Sequence, residues 1–482
     1  MIDEMKKNIF IIACFLLISN VSAQNQFDAV EFSTEDLNGT ARYVGMGGAL
    51  DALGGDISVM GSNPAGTAIF KKTDASFTGG ILFTGENGQL GRDNLRASFD
   101  QAGIVFTLPD YGSSNLKTIN FGFNYQKKRN FFNNQNSNIQ LDGILSQTNQ
   151  FANFINYGGS GMVSDITPSV LNYDETSKEY SGVGANSANY RKSTFGYLNQ
   201  YDLNVSFNVS NQFFFGMSLG IYDMNSKRDS YYMELGSDNS VYDVSNWYDT
   251  DGSGYDLNFG FICRPIKTSN FRFGVSIHTP TWFRLTDINE SSLSLDNYDR
   301  VYPDYLPSEY EYDYRTPWKF GLSLGHTISN NLAFGVQYEL SDLSTSCYSS
   351  LDWDNEDYFG RMNDYIKDHL KTQHSFKLGM EYKPINNLAL RCGYNYISSP
   401  IKDTADRDID NGYTCETDYT NWKGTNRFTF GIGYRYNGGY IDFAYQYQTR
   451  KGDFYAFTDE NLRPKDVSDN RSQIMATLGF RF

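Results

Sequence analysis

The chain is poor in the residues that most catalytic and nucleic-acid-binding proteins rely on. Of its 482 residues only 4 are His, 11 are Pro and 5 are Cys, and 40 Lys and Arg stand against 56 Asp and Glu, a formal charge of −16. That sign excludes a nucleic-acid binder, which needs a basic face to replace phosphate counterions. Beyond the leader, Cys263, Cys347, Cys392 and Cys415 carry no metal-type spacing, and free thiols or a Cys347–Cys415 bridge between loops both fit. No stretch reaches the roughly 20 apolar residues of a membrane-spanning helix. What the chain has in excess is rings and glycine: 36 Phe, 36 Tyr, 5 Trp and 44 Gly at a mean hydropathy of −0.50. So many rings in so polar a chain exclude both disorder and an ordinary enzyme core.

The first residues carry an address. Lys6 and Lys7 precede an apolar run from Ile9 to Ile18, followed by Ser19, Asn20 and the small-residue site Val21-Ser22-Ala23. This predicts a secretory signal peptide over 1–23, with the mature chain starting at Gln24, because the run is half the length of a membrane anchor. Ile11-Ile12-Ala13-Cys14 loosely fits a lipobox, but the apolar run continues past Cys14. An exported chain without a spanning helix can cross a membrane only as a barrel.

The period of the remaining sequence is two. Trp318, Phe320, Leu322 and Leu324 alternate with Lys319, Gly321, Ser323 and Gly325, and Ile474, Ala476, Leu478, Phe480 and Phe482 alternate with Met475, Thr477, Gly479 and Arg481. Fourteen such segments are predicted, near 74–84, 98–108, 115–127, 199–209, 212–224, 254–265, 271–285, 315–328, 331–341, 374–383, 387–397, 427–436, 439–449 and 472–482. Short turns alternate strictly with long loops between them. An even strand number with tight turns at one end and long loops at the other is the mark of an outer-membrane β-barrel. Both ends of the barrel then lie on the periplasmic side of a Gram-negative outer membrane, in contact with its lipid.

Residues 24–72 break the pattern with Gly45-Met46-Gly47-Gly48-Ala49, Gly54-Gly55-Asp56 and Asn63-Pro64-Ala65. Small residues turn tightly and pack closely, which suits a plug in a barrel lumen, leaving 73–482 as the barrel. The Gly-Met-Gly-Gly-Ala stretch and the Asn-Pro-Ala tripeptide together resemble the hatch of the FadL family of outer-membrane long-chain fatty-acid and hydrophobic-compound transporters, hemin-receptor-like members included. The resemblance implies a fourteen-stranded barrel, an N-terminal hatch that blocks the path, and passive uptake of hydrophobic or amphipathic small molecules. Gly45, Gly47, Gly48, Asn63, Pro64 and Ala65 are the gating residues it implies, while Pro64, which fixes one backbone angle and biases Asn63 to an extended shape, equally fits a rigid turn that only holds the plug. Similar hatch wording occurs in barrels that resemble PorV, so the alternative is a binding and assembly protein for secreted or surface proteins.

If the rings face lipid, the other parity faces inward. It places Arg264, Arg272, Lys319, Lys377, Arg391, Arg427, Arg435 and Arg481 in the lumen against Asp256, Glu339, Glu381 and Asp442. A cationic lumen suits an amphiphile with an anionic head, or it braces the wall by pairing across strands. Arg264, Arg272, Lys319, Lys377, Arg391 and Arg435, with His278, are the candidate ligand path. An enzyme is not expected, since only His278 among the four histidines takes an inward position. Asp406 to Gly412 fails the EF-hand pattern, and no metal or cofactor is called for. Tyr298, Tyr302, Tyr305, Tyr310, Tyr312 and Tyr314 crowd one loop, and Tyr348, Trp353, Tyr358 and Tyr365 another. They are expected as an interfacial girdle, a greasy capture site, or a surface for a protein partner.

Overall fold

The computed structural model describes residues 26–85, 95–109, 115–157, 170–296, 308–329, 331–351, 356–403, 416–459 and 461–482. The expected leader, the 406–412 loop, Cys415, Tyr298, Tyr302, Tyr305 and Trp353 lie outside the described residues.

Fourteen antiparallel strands close into a barrel. They are β1 (Asp74–Thr84), β2 (Leu95–Pro109), β3 (Leu116–Asn130), β4 (Ala185–Val209), β5 (Phe213–Gly236), β6 (Val241–Cys263), β7 (Arg272–His278 continuing as Trp282–Leu295) and β8 (Ser308–Arg315 continuing as Lys319–Ile328). The rest are β9 (Leu332–Asp342, extended by Cys347–Ser350), β10 (Thr372–Ile385), β11 (Leu388–Ile397), β12 (Tyr419–Tyr436), β13 (Gly439–Tyr455) and β14 (Lys465–Arg481). Closure is by β1 against β14, in unbroken register from Asp74 with Arg481 to Thr84 with Arg471. Each predicted strand has its counterpart. The short turns have the chemistry that hairpins demand, with Ser210 and Asn211 at φ 58 and 56° and Asn437-Gly438 at 45 and 85°.

The alternation sorts the wall into two faces. Phe77, Phe121, Phe215, Phe259, Leu322, Phe376, Phe430 and Leu478 are exposed on the outside, where lipid covers them. Tyr255, Trp282, Trp318, Tyr382 and Tyr434 extend that band at its margins. The inner face carries Asn120, Asn124, Asn204, Ser218, Asn258 and Thr477, all buried. No helix is long and apolar enough to cross a membrane among the described residues.

The strands run on well past the expected ends. β4, β5 and β6 are 25, 24 and 23 residues long, against about 9–11 needed to cross a bilayer. Their upper halves, with helix α3 (Gln147–Asn156), build a cap around Phe151, Tyr190, Tyr232 and Phe454. Tyr310, Tyr312 and Tyr314 are not at a lipid boundary. Tyr312 and Tyr314 are buried inward with Tyr348, Phe359 and Met362, the last two on helix α4 (Glu356–His369).

The segment before β1 fills the lumen. It runs down the barrel from helix α1 (Gln26–Ser33), in the long-loop half, through helix α2 (Ala41–Gly45) and two 3-10 turns, Ile57–Gly61 and Pro64–Ile69. Gln26 is buried, so the described chain begins inside the barrel, whereas the barrel's own ends meet at the short-turn end, where Phe482 N–H donates to Thr73 O (2.9 Å).

Glycines form a belt where this plug touches the wall. A Cβ on Gly216 would overlap the Pro64 backbone, one on Gly335 the Ala49 carbonyl, and one on Gly379 the Met46 carbonyl. A Cβ on Gly393 would overlap Gly47 N, and one on Gly431 would sit tightly, 3.3 Å from Gly45 Cα. Overpacking of this kind costs about 1–3 kcal/mol. Gly335→Ala and Gly379→Ala are therefore expected to speed hydrogen exchange at plug amides 45–50 while the barrel keeps its heat-modifiable gel mobility. Unchanged exchange in both variants would show that the plug does not depend on the belt.

Candidate functional site

The lower plug is held by backbone caps and polar contacts to the wall. Asn63 Oδ1 accepts from Ala65 N–H (3.2 Å), capping the turn that Pro64 starts, and its Nδ2 donates to Val275 O on β7 (3.4 Å). Thr67 Oγ1 lies 2.7 Å from Asn204 Oδ1, and Asn120 Nδ2 donates to Thr67 O (2.6 Å). Gly47 and Gly48 sit at φ 62 and 80°, a conformation that glycine adopts without cost, and turn the chain against the wall.

The upper plug is anionic and the wall around it cationic. From Gln24 to Thr73 there are six carboxylates and three cations. Asp28 pairs with Arg228 (3.5 Å) and Glu31 with Arg129 (3.3 Å). Glu35 bridges Lys128 (3.3 Å) and Lys319, and Asp36 lies 3.9 Å from both Arg427 and Arg471. Further down, Arg42 of α2 joins Glu381 (3.2 Å), which also holds Arg391 (2.7 Å), itself paired with Asp442 (2.6 Å).

Burial and charge set the protonation of these plug acids. Burial pushes Asp28 up to about 7 against the pull of Arg228, with Glu416 adding to the rise. Burial also opposes ionisation of Glu35, yet Lys128 and Lys319 hold its carboxyl well below the usual carboxylate range. Glu35 is therefore an anion at every physiological pH.

Glu35 opens on a cavity of about 90 Å³ lined by Lys128, Lys319, Lys377, His278, Asp256 and Glu339 among others. That is room for a few waters and far short of the roughly 300 Å³ that a small-molecule site encloses. With the plug seated, this cavity is too small for a cargo of that size. Thr279, Thr281 and Thr316 line the same cavity and belong to a seam in the wall. Pro280 and Pro317 interrupt the neighbouring strands β7 and β8 at one level, between the pairs His278 with Lys319 and Trp282 with Arg315. Proline has no N–H for the ladder. Threonine hydroxyls take over part of it: Thr281 N–H donates to Thr316 Oγ1 (2.8 Å) and Leu257 N–H to Thr279 Oγ1 (3.0 Å).

The structure brings together only some of the candidate ligand path. Lys319, Lys377 and His278 meet at the cavity, with His278 Nε2 2.8 Å from Ser62 O of the plug. Arg272 donates to Leu53 O of the plug, and Arg391 is committed to Glu381 and Asp442. Arg264 instead braces the turn after β6 through Ser269 O (2.6 Å) and Lys267 O (2.9 Å). Arg435 is half-buried near the short-turn end, its N–H donating to Asn387 O. Lys128 and the plug carboxylates were not foreseen. Extending the inward even-numbered parity of Asn120, Asn124 and Gln126 by one step reaches Lys128.

No family model and no curated protein matches the chain. Among solved structures, a Pseudomonas aeruginosa FadL homologue aligns over 93% of this chain and 100% of its own, at 12% identity and a TM-score of 0.53. The chain has the FadL fold. The Ralstonia pickettii toluene transporter TbuX (12% identity, 92% and 99% covered, TM-score 0.52) and the CymD monoaromatic hydrocarbon channel (11%, 92% and 98%, 0.51) share the FadL fold with it. Where the FadL fold is plugged here, the plug carries its own titration. Burial raises Asp51 from 3.8 to about 6, although Lys377 and the Ser62 hydroxyl oppose it. Between those pH values the folded plug holds a proton that the unfolded chain has lost, so stability falls as pH rises through the window. Hydrogen exchange of plug amides is expected to quicken from pH 4 to 6 beyond the intrinsic rise. Asp51→Asn is expected to reduce that excess, with Asp28 supplying the remainder, and an excess of unchanged size would exclude Asp51 as a source.

Proposed function

We propose that this barrel takes up amphipathic small molecules with an anionic head, such as long-chain fatty acids, passively across the outer membrane. The observation that carries the reading is the cavity beside Lys319 and Lys377, closed by a plug rather than open to water, inside a FadL-type barrel. The plug acts as a hatch over 24–72, with Asn63, Pro64, Ala65, Gly45, Gly47 and Gly48 keeping it seated on the wall. The lining is charged, which favours a carboxylate head over an uncharged aromatic cargo of the kind named for TbuX. The lumen is filled rather than enlarged, which is a poor scaffold for an assembly protein and a good one for a gated channel.

Cargo leaves through the seam at Pro280 and Pro317, where two residues bring no ladder donor and the cavity adjoins the wall. On the outside, Tyr255, Trp282 and Arg284 border a groove at the same level. Pro280→Val with Pro317→Val restores two ladder donors and is expected to slow dodecanoate uptake by whole cells without weakening dodecanoate binding to the purified barrel. Uptake that keeps its rate in this variant would exclude the seam as the exit. A barrel whose expression adds nothing to dodecanoate uptake would overturn the transport reading itself.

A further inference from the structure

α1 and the residues after it have the chemistry of an amphiphile. Ala29 and Phe32 are buried in an aromatic sleeve made by Phe131, Tyr222, Phe283, Tyr312 and Tyr314. Phe32 meets Tyr314 edge to face, with ring centroids 6.0 Å apart, and Ser33 Oγ lies 2.7 Å from the Tyr314 hydroxyl. At its lower end the segment presents one carboxylate, Glu35, to two ammonium groups that come from opposite parts of the wall, Lys128 on β3 and Lys319 on β8. The eight-residue helix is about 12 Å long, comparable with an extended acyl chain of medium length. Apolar body and anionic head therefore lie end to end, as they do in a fatty acid.

We propose that the seat between Lys128 and Lys319, with the aromatic sleeve above it, is the binding site for an amphipathic monocarboxylate, and that hatch segment 26–36 fills it as a stand-in ligand. The inference rests on the uptake reading and names its site and its trigger. Lys128 is buried and Lys319 half-buried, and a buried ammonium tolerates an empty seat poorly, because losing its partner leaves a charge uncompensated. A cargo carboxylate replaces Glu35 at Lys128 and Lys319 ion for ion, and its chain replaces Phe32 in the sleeve ring for chain. The freed segment then unseats the upper hatch, whose other anchors are the Asp28–Arg228, Glu31–Arg129 and Asp36–Arg427 pairs. Binding and opening are one exchange, and the closed state is closed because its own carboxylate competes.

The test uses the full mature barrel in mild detergent, with dodecanoate and dodecanol as probes in calorimetric titrations. Glu35→Gln removes the competitor's charge, so dodecanoate is expected to bind about tenfold tighter if a tenth of the native population is open, and dodecanol to tighten by a similar factor, since the sleeve is freed for both. Lys128→Gln with Lys319→Gln is expected to abolish the preference for the acid over the alcohol. On the unsubstituted protein, saturating dodecanoate is expected to expose Glu31 and Glu35 to a glutamate-specific protease, and dodecanol is not. If dodecanoate binds the Glu35→Gln barrel no more tightly and leaves Glu31 and Glu35 protected, the stand-in role is overturned while uptake stands. If neither probe binds any form, both the site and the uptake reading fall.

Discussion

Contact between two backbones governs this molecule. A barrel of fourteen strands leaves a lumen that the plug, from α1 to the second 3-10 turn, has to fill. The solution is to let a chain of small residues lie directly on the wall, which requires that the wall also lack side chains at the line of contact. Gly216, Gly335, Gly379, Gly393 and Gly431 provide that line, and Pro64, Ala49, Met46, Gly47 and Gly45 meet it. Ala41 N–H donates to Thr477 Oγ1 (2.7 Å) and Asn395 Nδ2 to Gly47 O (3.5 Å), so the polar atoms exposed by such thin packing find partners across the contact.

Charge acts on the same contact from above. The chain is strongly acidic overall, yet the upper wall presents Lys128, Arg129, Arg228, Lys319, Arg427 and Arg471 to the lumen, and the plug answers with Asp28, Glu31, Glu35 and Asp36. Buried ion pairs contribute little net stability, because desolvation offsets attraction, but they strongly penalise a missing partner. They therefore define which arrangement is allowed without making it deep. On the proposed reading, a closed state built this way would yield to a competing anion and resist neutral solutes.

Much of the fold was legible because membrane strands must alternate and must pair. All fourteen strands were placed by period two and by the inequality of their connections. The misreadings have physical causes. The Tyr310, Tyr312 and Tyr314 run also has period two, but above the bilayer the outer face meets water, so Glu309 and Glu311 point out and the rings point in. The inside-polar rule is inverted there, and a girdle reading fails. The alternation slips by one place at each proline, with Ile277 and then Trp282 outward on β7 and Arg315 and then Trp318 outward on β8, and runs taken one at a time do not show that phase change. The glycines read as the small side of an alternation. Their alignment into a belt needs the register of neighbouring strands, which no single segment contains. Of the site, Lys319, Lys377 and His278 were legible by parity, and the acids that occupy the seat were not, because their partners lie some 90 to 400 residues away along the chain.

The most direct test of a plug sealed on a glycine belt is the ionic conductance of the unmodified mature barrel in a planar bilayer. A sealed plug passes no steady current at any modest voltage, with brief openings only when a fatty acid is added. A stable open pore in the absence of any amphiphile would contradict the account, since water and salt would then be passing where the backbone contacts are said to close the lumen.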